Sequence, residues 1–308
     1  MLGPVTRSSA NASSTYEQQG STAAHHMSSP GPQETPKPDV HPSSSMTSTT
    51  EPIASPTPLT KAVVMGRLSN EDVDWVTRDL PGWQHYIYTV DLEPNITISP
   101  TGFRTPINKG REAMPYLTYI IDHYNKLSDV NVFIHAHRNG YPAAWHNDAK
   151  DYDAVTMLAE LQLPFVQEQG YANLRCRAIP GCPDEIQPWR EPFDQNRDTE
   201  HIYPDVYGIF FNQTFDQYRD EIAVVGTQCC AQFAVSREQI QKHSRSEYMR
   251  WRQYVIETEH SDAVIGRVLE YMWHIIFGRS AVHCEEVVKC WCDVFGRCDV
   301  RGFRFGGG

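Results

Sequence analysis

The sequence predicts one α/β domain in which helices flank a mostly parallel, Rossmann-like sheet. Three observations support this prediction. From residue 61 onward, short apolar runs of strand length alternate with amphipathic helical segments. Half of the first 60 residues are Ser, Thr or Pro and only one is aromatic, which predicts a disordered tail. All eight Cys lie between Cys176 and Cys298, so the C-terminal part is Cys-rich.

The first strand, helix and second strand of the domain follow directly after the tail. Residues 62–66 form an apolar run of buried-strand length. Ser69 and Asp72 have the spacing of an N-terminal capping box, which predicts a helix from about residue 70 to residue 79. The aromatic and β-branched side chains of residues 85–90 predict the second strand.

A second helix and a third strand complete this unit. An apolar stripe that includes Leu117 and Ile121 predicts a helix over residues 114–124, and Pro115 fits its first turn. Residues 130–134 form the third apolar strand. Because strands that are joined through helices usually run parallel, this order predicts a largely parallel sheet.

The rest of the single domain 61–308 has a less regular pattern. Residues 163–221 are rich in Pro and contain Cys, which predicts an irregular insertion. The remaining expected elements are helices over 152–161, 236–258 and 262–278, regular structure over 221–225, a strand over 229–235, and helix caps at Ser236 and Asp262.

The charge balance restricts the classes of partner. The net charge is −11, and the domain itself has 25 basic and 34 acidic side chains. Nucleic acids and anionic membranes require clustered Lys and Arg, so neither is an expected partner. No apolar run approaches the roughly 18 residues of a membrane helix, and the N-terminal segment lacks the pattern of a signal peptide.

The Cys content favours the secretory pathway. Eight Cys crowded into one half of the chain are typical of a disulfide-stapled region. Glycosylation sequons at Asn11, Asn95 and Asn212 point the same way and predict a glycoprotein. Free thiols and a metal site are the alternatives for the Cys. Because no signal peptide is recognised, a cytoplasmic location stays open as the alternative.

Candidate site residues follow the predicted strands, because ligands of open α/β sheets bind beyond the carboxyl ends of the strands. Arg67 and Glu71 follow the first strand. His135 and His137 follow the third and share one face of an extended chain, as two ligands of a divalent metal or of a substrate phosphate would. The alternative is that these two His are polar loop residues. The same loop adds the candidate ligand-binding residues Trp145 and His146.

A second group of candidates precedes the helix at residue 114. Gly110 permits a backbone turn that lets the N-terminus of the helix face an anion, and Arg111 adds positive charge. With Asn108, this arrangement fits a diphosphate. Glu112 is a candidate catalytic carboxylate; its alternative role is to stabilise the helix N-terminus through the dipole.

The last predicted helix supplies a candidate acid–base pair. Glu270 and His274 are four residues apart, a spacing that lets a carboxylate orient an imidazole as general base. The apolar residues around them predict that this helix is largely buried. Gln232, in the expected strand after Cys229 and Cys230, is a further candidate ligand-binding residue.

Six short motifs follow one another along the chain: Glu71-Asp72-x-x-Trp75, Asn108-x-Gly110-x-Glu112, Phe133-x-His135 with Trp145-His146, Leu174-Arg175-Cys176, Cys229-Cys-Ala-Gln-Phe233 and Glu270-Tyr-x-Trp273-His274. In this order they resemble a family of uncharacterised fungal domain proteins, and the resemblance covers about residues 61–298. The layout is more loosely similar to nucleotide-sugar glycosyltransferases of the GT-A type, in which a metal-binding Asp-x-Asp follows a central strand. In this chain His135-Ala136-His137 stands at that place and departs from the motif.

The resemblance implies a glycosyltransferase-like protein that binds a nucleotide sugar or a related phosphorylated ligand and transfers the sugar to an acceptor hydroxyl. One alternative is a disulfide-stapled carbohydrate-binding or scaffold protein without enzymatic activity. Another is a metal-dependent hydrolase or pathway enzyme that uses His135, His137 and His146. A small-molecule or carbohydrate substrate is the partner that the resemblance implies, and a divalent metal is the expected cofactor.

Overall fold

The computed structural model describes residues 57–93, 96 and 102–299, all within the unit Pro56–Gly308. The predicted tail, apart from its last four residues, and the sequons at Asn11 and Asn95 lie outside the described residues. Asn212 is described and exposed, at the end of a helix.

The domain is built on a mixed, mostly parallel sheet of six strands, in the order β3-β2-β1-β4-β7-β5. β1, β2, β3 and β4 pair in parallel, whereas β7 runs antiparallel to both of its neighbours. A separate pair, β6 and β8, is parallel. The strands are β1 Lys61–Arg67, β2 Gln84–Thr89, β3 Phe103–Arg104, β4 Val130–Phe133, β5 Tyr171–Asn173, β6 Gly226–Thr227, β7 Phe233–Ser236 and β8 Val282–His283.

Eleven α-helices surround the sheet in the described part of the chain. They are α1 Asp74–Asp79, α2 Ala113–His123, α3 Ala154–Glu160, α4 Leu163–Gln169, α5 Asp198–Phe211, α6 Phe215–Tyr218, α7 Arg237–Ile240, α8 Arg245–Glu257, α9 Asp262–Glu270, α10 Trp273–Ile276 and α11 Val287–Phe295. A 3₁₀ turn spans Lys150–Tyr152. None of these described helices combines the length and the apolar character needed to span a bilayer.

The core has two layers, one on each face of the sheet. Alternate residues of β1 enter different layers, since Val64 packs with α2, α5, α8 and α9, whereas Val63 and Met65 pack with α1, α3, α4 and α11. Both faces of the central strands are therefore buried, which explains why these strands read as continuous apolar runs in the sequence.

The position of β1 at the centre of the sheet creates a topological switch point. From β1 the chain adds β2 and β3 on one side and then crosses to β4 on the other side. The connections therefore diverge between β1 and β4, and a crevice opens beyond their carboxyl ends. Because β7 is antiparallel to β4, the residues that precede β7 lie at this same edge.

Several predicted boundaries were wrong for local reasons. Ser69 does not cap a helix, because its N–H and hydroxyl donate to Asp91, at 2.8 Å each, and the helix begins only at Asp74. Residues 163–221 are not simply an irregular insertion. They contain the edge strand β5 and also α4, α5 and α6.

The later helices are shorter than expected. The predicted helix 236–258 is two helices, since Ser236 caps α7 and Ser244 starts α8 with a capping box. The predicted helix 262–278 is divided into α9 and α10, and Ser261 rather than Asp262 caps α9. Residues 221–225 form no strand beyond one bridge at Val225, and β7 begins at Phe233 instead of residue 229.

All eight Cys form disulfide bonds, which confirms the predicted stapling. Two bonds join distant parts of the chain, Cys176–Cys290 and Cys182–Cys284, and one closes the short loop Cys292–Cys298. The fourth links the adjacent residues Cys229 and Cys230. Four disulfide bonds fit a secretory or extracellular location.

Candidate functional site

Two adjoining cavities lie at the switch point and share one wall. The first chamber has a volume of about 290 Å³ and the second of about 420 Å³. Arg111, Glu112, His135 and His137 line both. The first chamber is completed mainly by Arg67, Glu71, Val90 and Asn108, and the second by Trp145, His146, Cys229, Cys230, Arg267 and Glu270.

The first chamber forms where the end of β1 meets the first turn of α2. A Cβ at Gly66 would lie 2.6 Å from Cγ of Pro115, so only glycine permits this close contact. Beside it, Arg67 donates to the Thr89 hydroxyl at 3.2 Å and to the carbonyl of Glu71 at 3.0 Å. These bonds hold the Arg67 guanidinium at the start of α2.

The turn before α2 places Arg111 in the shared wall. Gly110 has a φ of +71° and Arg111 a φ of 52°, so the chain passes through two left-handed residues before the helix. Arg111 makes no hydrogen bond or ion pair with any residue that the structure describes. The neighbouring Lys109 donates to the carbonyl of Thr258 and lines neither chamber.

The stem of Arg111 lies along α9 at a residue without a side chain. A Cβ at Gly266 would lie 3.1 Å from Cγ and Cδ of Arg111. Gly266 therefore leaves the space that the aliphatic part of Arg111 fills. A free guanidinium beside the positive end of the dipole of an 11-residue helix forms a surface suited to an anion.

A hydrogen-bond network holds the loop after β4 against β7. Nδ1 of His135 and Nδ1 of His146 are 3.2 Å apart, and one of these two nitrogens donates a hydrogen bond to the other. The Gln232 side chain accepts from the N–H of His135 and donates to the carbonyl of His146, both at 3.1 Å. Gln232 thus positions both imidazoles without lining either chamber.

His146 is the buried, neutral member of this pair. Burial, together with the nearby charges of His135 and Arg175, lowers the pKa of His146 to about 3. His135 presents its Nε2 to Oε1 of Glu112 at 3.6 Å, and this nitrogen has no hydrogen-bond partner among the described residues. On the far side of the loop, Nε2 of His137 lies 3.8 Å from Oε1 of Glu71.

Glu270 is the mostly buried carboxylate of the second chamber, with a side chain that is 15% exposed. Its Oε1 accepts from the N–H of Cys230 at 2.7 Å, and its Oε2 lies 3.2 Å from the guanidinium of Arg267. Burial raises the pKa of Glu270 above its ordinary value, opposed by Arg267 and by the Cys230 N–H. A carboxyl group with a raised pKa is suited to accept a proton near neutral pH.

The expected pair of Glu270 and His274 does not form a joint site. α9 ends at Glu270 and a new helix starts at Trp273, so the four-residue spacing does not place them on one continuous helix. His274 is fully buried, with its Nε2 2.9 Å from the carbonyl of Ala281, and lines neither chamber. The structure therefore places His274 away from the chambers, and its role as a base stays a prediction.

The structure brings together ten of the thirteen predicted site residues around the two chambers. Of the other three residues, Gly110 permits the turn before α2 and Gln232 binds the backbone of the loop after β4. His274 lies away from both chambers. The ten are Arg67, Glu71, Asn108, Arg111, Glu112, His135, His137, Trp145, His146 and Glu270.

The metal role expected of His135 and His137 is not supported by the donor geometry. The His belong to no group of three donor atoms within 4.8 Å of one another among the described residues. Arg267 and the Cys229–Cys230 bond were not predicted as parts of the site. The spacing of Arg267 three residues before Glu270 is a sequence signal that would have identified it.

A family model described as a protein of unknown function, DUF3431, matches residues 63–293. No curated protein and no solved structure matches the chain. The matched range contains every residue that lines the two chambers.

Proposed function

Since the chain belongs to DUF3431, a family of proteins of unknown function, we propose its function from the site: it binds a nucleotide sugar or a related phosphorylated ligand and transfers the sugar to an acceptor hydroxyl. The observation that carries this proposal is the shared wall. Two chambers of different chemistry, one with arginines and a helix N-terminus and one with a buried carboxylate, meet at His135 and Glu112.

In this proposal the first chamber binds the diphosphate. Arg67 and Arg111 supply fixed positive charge, and the N-terminus of α2 adds the positive end of the helix dipole. Asn108 and Glu71 line the same chamber, where an amide and a carboxylate are suited to bind sugar or ribose hydroxyls.

The second chamber holds the acceptor. Glu270 accepts the proton of the acceptor hydroxyl while the oxygen of that hydroxyl attacks the anomeric carbon of the donor sugar. The bond from that carbon to the phosphate oxygen breaks, and the electron pair leaves with the diphosphate. Arg67, Arg111 and the start of α2 stabilise the negative charge that develops there.

The residues of the shared wall lie between Glu270, which accepts the proton, and the chamber from which the diphosphate leaves. His135 is fixed at Nδ1 by His146 and at its backbone by Gln232, so its Nε2 is directed to Glu112 where the two chambers meet. Fixed groups of this kind need no reorganisation as charge shifts from acceptor to leaving group. In this proposal His135 and Glu112 contact the transferred sugar and the leaving group.

The same proposal states that the fold is similar to that of GT-A glycosyltransferases, that the chain is fungal and that it resides in the secretory pathway. The four disulfide bonds support that location. The exposed sequon at Asn212 is the described position at which the chain would be glycosylated.

The direct test is a calorimetric screen of the purified, oxidised chain against nucleoside diphosphates and nucleotide sugars, with and without Mn²⁺. We expect a diphosphate ligand to bind and R111Q to weaken its binding. E270Q should keep donor affinity and lose transfer. If no such ligand binds in either condition, the proposal is wrong and a non-enzymatic role in carbohydrate binding gains support.

A further inference from the structure

The adjacent residues Cys229 and Cys230 occupy an unusual place in the second chamber. Both line it, although they are only 1% and 8% exposed. Cys230 has a φ of 95° and Ala231 a φ of 49°, so two consecutive non-glycine residues adopt the left-handed region. Strained backbone of this kind persists only where the surrounding structure imposes it, and it concentrates at functional sites.

Glu270 lies against the same turn. The Sγ atoms of Cys229 and Cys230 and a carboxylate oxygen of Glu270 all lie within 4.8 Å of one another. It is the one such three-donor group among the residues that the structure describes. While the two sulfurs are bonded to each other they are poor ligands, because a metal binds the thiolate form.

We propose that Cys229, Cys230 and Glu270 form a redox-gated site for a thiophilic divalent cation, closed as the disulfide and open as the dithiol. A dithiol reductant supplies two electrons and two protons, which break the S–S bond, and is itself oxidised to a disulfide. The cation then replaces the two thiol protons, which are released, and binds two thiolates and one carboxylate oxygen.

The geometry suits a tetrahedral ion such as Zn²⁺. Two thiolates on one zinc lie about 3.8 Å apart, since each Zn–S bond is about 2.3 Å. All three donor atoms already lie within 4.8 Å of one another, so the reduced sulfurs need to separate only to this distance. The fourth position faces the chamber, where a water molecule or a ligand completes the coordination.

The charges around the site also suit a dication. Two thiolates and Glu270 bring three negative charges to an ion with two positive charges. Arg267 lies 3.2 Å from Glu270 and also donates to Glu185 at 2.5 Å, so its charge is shared between two carboxylates. Glu270 keeps free lone pairs on both oxygens for the ion.

The test uses the whole chain and needs no nucleotide or transfer assay, so its failure leaves the proposed function untouched. The oxidised protein is titrated with dithiothreitol, and alkylation followed by mass spectrometry identifies the first thiols to appear. After removal of the reductant, Cd²⁺ binding is followed by thiolate-to-metal charge-transfer absorption and Zn²⁺ binding by competition with a chromophoric chelator.

We expect Cys229 and Cys230 to be labelled first and the reduced protein to bind one ion with thiolate absorption. C229S/C230S should not bind, and E270Q should lose affinity by about tenfold or more. E168Q is the matched control, because Glu168 is an exposed carboxylate on α4 away from the chamber, and it should bind like the parent chain. Earlier labelling of another Cys, equal binding by the oxidised protein, or unchanged affinity of E270Q overturns the proposal.

Discussion

Nδ1 of His135 and Nδ1 of His146 lie 3.2 Å apart, and this contact joins the end of β4 to the loop that lines the second chamber. Only one of the two nitrogens donates the shared proton, so the contact requires at least one neutral imidazole. Burial and the adjacent charges lower the pKa of His146, which makes His146 the neutral partner. Acid that protonates both imidazoles would therefore break the pair.

Acid should destabilise the fold because its buried His are neutral. Burial lowers the pKa of His146 and His274 to about 3 and of His283 to about 4. In the unfolded chain these His bind protons near pH 6.5. Their contribution to stability is therefore fully present above that pH and is lost as the pH falls toward 4 and then 3. H274Q should reduce the loss between pH 7 and pH 5 by about 2 kcal/mol.

The measurement is the free energy of unfolding from denaturant titrations at pH 7 and pH 5. H260Q, at a partly exposed His on another segment, is the control and should keep the parent's pH dependence. An unchanged pH dependence in H274Q would show that His274 is not protonated on unfolding in this range.

The long-range disulfides should stabilise the domain more than the short one. Cys176–Cys290 spans 114 residues and Cys292–Cys298 spans 6. Because closing a longer loop removes more entropy from the unfolded chain, C176S/C290S should cost about 5 kcal/mol and C292S/C298S about 2 kcal/mol. Denaturant titration of the two double variants tests this order, and equal costs would contradict it.

Arg111 should contribute directly to diphosphate binding. It has no partner among the described residues, so R111Q removes a charge without leaving another buried group unpaired. Loss of a charged hydrogen bond is worth about 2 kcal/mol, which corresponds to a Kd raised roughly thirtyfold. Calorimetry with a nucleoside diphosphate measures it, with R219Q on an exposed residue outside the chambers as control.

Gly266 should affect binding without reducing stability. G266A places a Cβ 3.1 Å from the stem of Arg111, which must shift within the shared wall. At the same time Ala favours a helix interior over Gly by about 1 kcal/mol. We expect an increased Kd for the diphosphate together with unchanged or higher thermal stability. A parallel loss of both would indicate general damage to α9 instead.

Asp148 should be one of the most sensitive structural positions. Its buried Oδ2 accepts from the N–H of Cys176 at 2.7 Å, the N–H of Arg177 at 3.0 Å and the indole of Trp291 at 3.3 Å. D148A leaves these donors unpaired and should cost about 3 kcal/mol or more. Chemical denaturation measures this cost, and E168A, at an exposed position of α4, should be nearly neutral.

The central strands and α2 could be predicted from the sequence because their burial imposes apolar periodicity. The strand ends then located Arg67, His135 and the residues around them. Individual hydrogen bonds determined helix boundaries that the apolar pattern did not predict. Ser69 has the composition of a cap, but Asp91, twenty-two residues away, takes both of its donors.

The direction of β7 and the separation of Glu270 from His274 depend on tertiary contacts. An antiparallel strand has the same apolar pattern as a parallel one, so the sequence did not reveal that Gln232 lies at the carboxyl end of β4. Nor did it show the break between α9 and α10, because the apolar pattern continues across Tyr271 and Met272, both of which are fully buried.

The two long-range disulfides also set an order of events during synthesis. Cys176 and Cys182 must wait for Cys290 and Cys284, more than one hundred residues later. Both thiols therefore leave the ribosome unpaired and stay available to oxidants and isomerases while the intervening segment is translated. Release of correctly bonded protein should consequently depend on the oxidative folding capacity of the host cell. Expression yield would then follow the supply of disulfide isomerase more closely than growth temperature.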